Sequence, residues 1–332
     1  MQKFPWFGKL DLRKAMQAEK AKVAQASYEA LKLKLFQELE ELYYDFYFQQ
    51  ESLKIAKANK ALLINFEPIA RNLIKTGKGV KDLLKLQVEL GRIDDRISSI
   101  DLRLVPLKAR LNELLNRRAE EPVSLIAVLP DRLSVINETS LQKMIIKSNP
   151  SLKGIDAMLS VAENKILLAR KNFSPDLDIG LKYIQTSGAA RAVDDNGKDP
   201  IMLTLGMNLP LNQRKYRDLE KVRVQEFTAI RAQREGLERS LERRLKVALY
   251  ALEDNERIFK LYENTLIPKN TQALKITLQA YRNGKADFLE LIDIQRQVLA
   301  FQLMQEKALT QIYKQEAVLR ELSNTGYKRE IK

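Results

Sequence analysis

Proline is the residue that most limits what this chain can become. None occurs between Pro5 and Pro68, and none between Pro210 and Pro268. Proline breaks helix interiors, so these two intervals permit helices far longer than most compact domains use. Within them glycine occurs only as Gly8 and Gly236, and the text is rich in Ala, Leu, Lys, Glu, Gln and Arg, the strong helix formers. Leu35, Leu39, Leu42 and Phe46 follow one another at spacings of three and four, as do Leu237, Leu241, Leu245, Ala248 and Leu252. That is the seam spacing of packed long helices. A helix from Asp11 to Lys75 is predicted, on the order of 100 Å long at about 1.5 Å per residue.

Two turns interrupt the helical text, KTGKG at Lys75 to Gly79 and RNGKA at Arg282 to Ala286. Each sets Gly beside a small polar residue, as a helix C-cap requires. An amphipathic run follows each turn, so each long helix is predicted to fold back as a helical hairpin. Two other segments have period two. From Pro175, Leu177, Ile179, Leu181 and Tyr183 share one face, with Asp176, Asp178, Gly180 and Lys182 on the other. From Pro200, Ile201, Leu203, Leu205, Met207 and Leu209 share a face. These are strand signals, joined by a polar loop with Asp195-Asn196-Gly197 turn chemistry, and about ten residues is the length of a tilted strand crossing a bilayer. An ordinary amphipathic hairpin fits the same pattern.

The chain also repeats itself. Phe4 to Leu10 matches Leu209 to Lys215, Leu42-Tyr43 matches Leu249-Tyr250, Gly77-Lys78 matches Gly284-Lys285, and DLLKLQ from Asp82 matches ELIDIQ from Glu290, at offsets of 205 to 208 residues. Each copy reads strand end, long helix, glycine turn, return helix. The second copy carries in addition a helix from Ser140 and the strand pair. The matching front of the first copy, about 70 residues, falls before Met1, so a misassigned or truncated start is expected. The predicted divisions are a strand remnant over 1–10, a helical hairpin over 11–120, a linker over 121–139, a helix over 140–174, a β-hairpin over 175–211, a second helical hairpin over 212–325, and a tail over 326–332.

Composition removes whole classes of chemistry. There is no His and no Cys among the 332 residues. Disulfides, thiolate metal sites, cysteine nucleophiles, Ser-His-Asp triads and HExxH centres are therefore impossible, and neither an enzyme, a bound metal nor a cofactor is expected. Lys and Arg number 57 against 43 Asp and Glu, a net charge of +14. The basic residues lie among acidic ones along the chain, the pattern of solvated helix faces, so no nucleic-acid partner is expected. No run of 18 apolar residues occurs, and the first residues carry no secretory signal.

The order, spacing and duplication of FPWFGKL, NPSLKGIDAMLSVAENKILLARKNFSPDLDIGLKY, LGMNLPL and AYRNGKADFLELIDIQRQVLAFQ closely resemble the outer-membrane efflux protein family, the TolC-type outer-membrane factors. The resemblance runs from Phe4 to about Leu322. It implies a mainly α fold with a small membrane β part: long antiparallel helical hairpins forming a tunnel wall, and strands given to one barrel shared by a homotrimer. It implies a passive conduit for small molecules, metal ions or proteins in a tripartite efflux or type I secretion system. The implied partners are a periplasmic adaptor protein, an inner-membrane transporter and outer-membrane lipid. The implied location is the outer membrane with a periplasmic tunnel, which requires an N-terminal signal not seen in this chain.

The resemblance also places a constriction near the hairpin turns. The matching positions are Tyr281 before the glycine turn, Glu290 and Asp293 after it, and Asp82 in the first copy, where Lys85 replaces the second acid. Repeated by threefold symmetry, the carboxylates would form rings that favour cations. Some members carry an Arg just after the turn; Ala286 stands here, with Lys285 or Arg282 as the expected substitute. Gly77, Lys78, Gly284 and Lys285 are the expected tips that touch the adaptor, and a plain helix-capping role fits them too. Leu177, Ile179, Leu181, Tyr183, Ile201, Leu203, Leu205 and Met207 are the expected membrane-facing residues. The aromatic group Tyr43, Tyr44, Phe46, Tyr47 and Phe48 reads as packing between hairpins. The competing readings are a soluble long-hairpin scaffold, a non-functional truncated channel and a basic helical nucleic-acid binder.

Overall fold

The computed structural model describes residues 2–74, 80–124, 127–130, 137–186 and 199–325. In chain order the elements are β1 (Gln2–Phe4), α1 (Lys9–Ile64), α2 (Glu67–Ile74), α3 (Val80–Leu114), α4 (Glu138–Ser148), α5 (Pro150–Lys171), β2 (Asp176–Tyr183), β3 (Ile201–Asn208), α6 (Gln213–Leu261), a π turn at Tyr262–Leu266, α7 (Ile267–Arg282) and α8 (Phe288–Ser323). Two compact units result. One holds Met1–Ala30 with Ser148–Ser240, the other Leu31–Lys147 with Leu241–Lys332. The long helices α1 and α6 each contribute to both.

Proline again sets the element boundaries. The predicted unbroken helix to Lys75 instead ends at Ile64 and restarts as α2. Pro68 has no N–H to donate to the carbonyl of Ile64, and its ring would crowd that oxygen, so the ladder stops there. In the second copy Pro268 is accommodated differently. The Ile267 N–H reaches back to Tyr262 O, one residue further than an α-helix allows, and the widened turn lets the helix continue as α7. The helix expected over 140–174 is likewise two helices. Asn149 interrupts it, its side chain accepting from Ser151 N at 3.0 Å while Pro150 opens α5.

In the first unit β1, β2 and β3 form one antiparallel sheet in that order. The strand expected around Phe4 to Phe7 is in fact Gln2–Phe4, pairing Phe4 with Leu177. Pro5 and the turn that opens α1 end it. Lys9, 3% exposed, donates from Nζ to Asp176 at 2.7 Å and to Ser174 O at 3.2 Å, while Trp6 N donates to the same Asp176 carboxylate. This buried pair ties the start of α1 to the start of β2. Helix α5 runs antiparallel to α6 through Arg170–Glu220, Lys165–Glu226 and Asp156–Arg234. It crosses α1 closely at Gly154, where a Cβ would come within 3.2 Å of Ala26 Cβ.

In the second unit the helices pair antiparallel. Lys60–Asp94 and Glu38–Arg110 join α1 to α3, and Arg244–Glu321 joins α6 to α8. Asp45–Lys314 and Glu40–Arg320 join α1 to α8. One apolar core runs through Leu63, Phe66, Leu86, Ile93, Phe288, Leu291 and Leu303. Of the first predicted seam Leu42 and Phe46 are buried, but Leu35 is 45% exposed and Leu33 takes its place. In the second seam Leu241, Leu245, Ala248 and Leu252 are buried. The aromatic group is packing: Phe46 is buried with Leu42 and Ala127, Tyr43 exchanges hydrogen bonds with the backbone of Val128, and Tyr44 stacks against Tyr313.

Candidate functional site: a capped helix turn and an apolar sheet face

The turn between α7 and α8 is built from its cap residues. Gly284 sits at φ +70, a conformation that strains any residue with a Cβ. Its N–H donates to Tyr281 O, and Lys285 N donates to Ala280 O at 2.9 Å, closing the helix end as a Schellman motif does. Asp287 then caps α8, accepting from Leu289 N. This cap aims Tyr281 inward. The residue is 3% exposed, its ring packs on Phe288, and its hydroxyl donates to Asp82 Oδ2 at 3.0 Å. Burial, and then the charge of Asp82, push that hydroxyl well above the ordinary tyrosine range. Asp82 lies in the first turn of α3, where a carboxylate complements the helix dipole.

Glu290 and Asp293 lie one turn apart on α8, both exposed. Asp293 pairs with Arg296 at 3.2 Å, and Arg296 also grips Glu89 of α3 with two guanidinium nitrogens. Glu89 is 8% exposed and takes a further contact from Arg92 at 3.1 Å. The bonds from Arg296 hold its carboxyl below the ordinary glutamate range against the opposing effect of burial. Of the four expected constriction residues, then, Tyr281 and Asp82 meet each other, Asp293 joins a different ion-pair chain, and Glu290 makes no ion pair among the described residues. Neither Lys285 nor Arg282 makes one either, so the cation beside Asp293 is Arg296. Sequence reasoning passed over Arg296 and Glu89; their signal was a charged residue on each of two facing apolar runs. Gly284 and Lys285 form the turn just described, while Gly77 and Lys78 lie outside the described residues.

The sheet carries the second feature. Its register pairs Leu177 with Met207, Ile179 with Leu205, Leu181 with Leu203 and Tyr183 with Ile201. All eight therefore share one face, and Phe4 extends it onto β1. Every one is exposed, Leu181, Ile201 and Leu205 by more than 70%. The other face carries Asp178, Gly180, Lys182, Met202, Thr204 and Gly206. Ordinary soluble sheets bury such a face; this one presents it outward. No helix among the described residues is long and apolar enough to cross a membrane, and no His, Cys, Asp or Glu group among them could hold a metal ion.

The fold is that of solved channels. The outer-membrane channel OprN superposes with a TM-score of 0.83 at 16% identity, covering 97% of this chain and 73% of that one. VceC, the outer membrane protein from Vibrio cholerae, gives 0.83 at 14% identity, with 98% and 78% covered. The open state of the Neisseria gonorrhoeae MtrE outer membrane channel gives 0.81 at 16%, with 98% and 74% covered. No curated protein sequence matches the chain. The profile of the outer membrane efflux protein family matches residues 141–325, more than half of the sequence. By that match the chain, with its duplicated helical hairpins and its outward apolar sheet, belongs to the outer membrane efflux protein family.

Proposed function

We propose that the chain is one subunit of a homotrimeric outer-membrane channel, a passive export conduit of a tripartite efflux or type I secretion system. The observation that carries this is the exposed apolar face formed in register by β1, β2 and β3. Lipid is the environment that such a face fits. The sheet's outer edges have no partner among the described residues, and an open edge in lipid leaves backbone groups unsatisfied, so strands from further copies would close the barrel. The helices would line a periplasmic tunnel. Asp82, Glu290 and Asp293 would narrow it, with Tyr281 holding Asp82 from the core behind, and Gly284 and Lys285, with Gly77 and Lys78, would meet a periplasmic adaptor linked to an inner-membrane transporter. Export of the chain would require an N-terminal signal.

The test is reconstitution. Protein purified in detergent should cross-link to a ladder ending at three chains and should give discrete conductance steps in a planar bilayer. A monomer that stays soluble without detergent and gives no steps would favour the soluble scaffold instead.

A further inference from the structure

The end of the sheet that bears the helices is strongly cationic. Both β1 and β3 are antiparallel to β2, so both finish where β2 begins: Phe4 opposite Leu177, and Asn208 opposite Asp176. Helix α1 starts at Lys9, just beyond β1, and α6 starts at Gln213, just beyond β3. Their opening turns carry Arg13 and Lys14, and Arg214, Lys215 and Arg217. All five are exposed, and none makes an ion pair among the described residues. The nearby acids are otherwise engaged or outnumbered: Glu220 pairs with Arg170, Asp218 with Lys221, and Asp176 with Lys9, leaving Asp11 and, two residues along β2 from Asp176, Asp178.

This placement opposes a local preference. A helix N-terminus favours acids and disfavours cations, yet the first turn of α6 has no acidic residue and holds Arg214 and Lys215. A local rule broken without internal compensation points to an outside partner. The apolar face supplies the geometry. Strands of eight residues span about 26 Å along their own axis and about 20 Å along the membrane normal at a tilt of about 40°, most of the apolar band of about 25 Å on membrane barrels. The residues that follow therefore reach the headgroup layer. Phe7, Leu209 and Leu211 are exposed there, by 80%, 54% and 86%.

We propose that Arg13, Lys14, Arg214, Lys215 and Arg217 form a cationic collar that binds the phosphate groups of anionic phospholipids at the helix-bearing end of the sheet. The side-chain cations are the binding groups, not the helix ends. The inference rests on the membrane reading of the sheet.

The test is partition of the full 332-residue chain, on removal of detergent, into vesicles of phosphatidylcholine alone or with about 30 mol % phosphatidylglycerol. The wild-type chain should prefer the anionic vesicles about tenfold or more at about 50 mM NaCl, and the preference should shrink severalfold at about 500 mM. The R214Q/K215Q/R217Q variant should lose most of the preference while entering neutral vesicles as before. R214K/R217K should keep it, because a point charge suffices. Should the triple variant fail to fold, R13Q/K14Q reads out the same loss from the other helix. Equal wild-type partition into both vesicles, or a preference retained by the glutamine variants, overturns the collar alone. Failure of the wild-type chain to enter either vesicle overturns the membrane reading and the collar with it.

Discussion

The Tyr281 hydroxyl and the Asp82 carboxylate form one charge-assisted hydrogen bond between the turn end of α7 and the first turn of α3. Tyr281→Phe keeps the ring on Phe288 but removes the donor. A hydrogen bond to a charged group contributes about 1.5–3 kcal/mol, and Asp82 is only half-buried, so the expected loss is nearer about 1 kcal/mol. Chemical denaturation of the variant measures it, and an unchanged midpoint would mean the bond contributes nothing. Two other carboxylates titrate in opposite senses. The bonds from Arg296 lower Glu89 in the folded state. Its stabilisation is present above the unfolded value of about 4.3 and disappears only as pH falls through the lowered one. Glu306 is raised, chiefly by burial and then by Glu51. It destabilises the fold at neutral pH, and that penalty lifts as pH falls through the raised value. Glu89→Gln should therefore lose about 1–2 kcal/mol at neutral pH, a figure discounted for the exposure of Arg296. Glu306→Gln should be as stable as the parent or more so at neutral pH and lose that advantage in acid. Thermal unfolding of both variants between neutral and acid pH separates the two, and parallel profiles would refute the assignment.

At the scale of elements, the β-sheet makes the sharpest prediction because one of its faces is apolar along its length and the other, apart from Met202, is not. Leu203 and Thr204 are neighbours on β3 with opposite orientations. Leu203→Lys places a charge on the apolar face near mid-strand and should cost about 2–4 kcal/mol of insertion, whereas Thr204→Lys, on the polar face, should insert normally. Protease protection in lipid vesicles reads this directly, and equal protection would end the lipid-facing assignment. The same strands show what sequence can reveal. Their alternation was legible because a period of two survives any partner, and the face it named is the one exposed. The helical hairpins were legible from proline gaps and glycine turns. The breaks were not. Pro68 ends a helix whereas Pro268 only widens one into a π turn, and Asn149-Pro150 divides a stretch that reads as one helix. Those outcomes depend on whether neighbouring helices hold the chain in line past a missing hydrogen bond, which is a matter of packing. The Glu89–Arg296 pair and the Lys9–Asp176 pair were hidden for a similar reason. Each joins residues more than 160 positions apart, and many charged residues along the chain were equally available partners.

At the scale of the assembled molecule, symmetry multiplies whatever charge one subunit leaves uncompensated. The chain carries a net +14, which would favour anions if all charges acted at the tunnel's narrow end. They do not: at physiological salt the Debye length is about 8 Å, so only residues at the constriction act strongly on a passing ion. At the proposed constriction the two acids of α8 are unequal. Asp293 is paired with Arg296 at 3.2 Å, a cation it shares with Glu89, so its charge is partly offset. Glu290 makes no ion pair among the described residues and should act with its full charge. A trimer would thus present one unpaired carboxylate ring and one partly offset, and a ring of acids favours cations. Glu290→Gln should lower the potassium-over-chloride permeability ratio by about twofold or more. Asp293→Asn removes the same unit of charge and uncovers Arg296, so it should lower the ratio as well, and should lower stability by about 0.5 kcal/mol or less, as befits an exposed pair. Reversal potentials in a salt gradient across a planar bilayer, measured for each variant, decide the matter. If neither variant shifts the potential, these residues do not line the constriction.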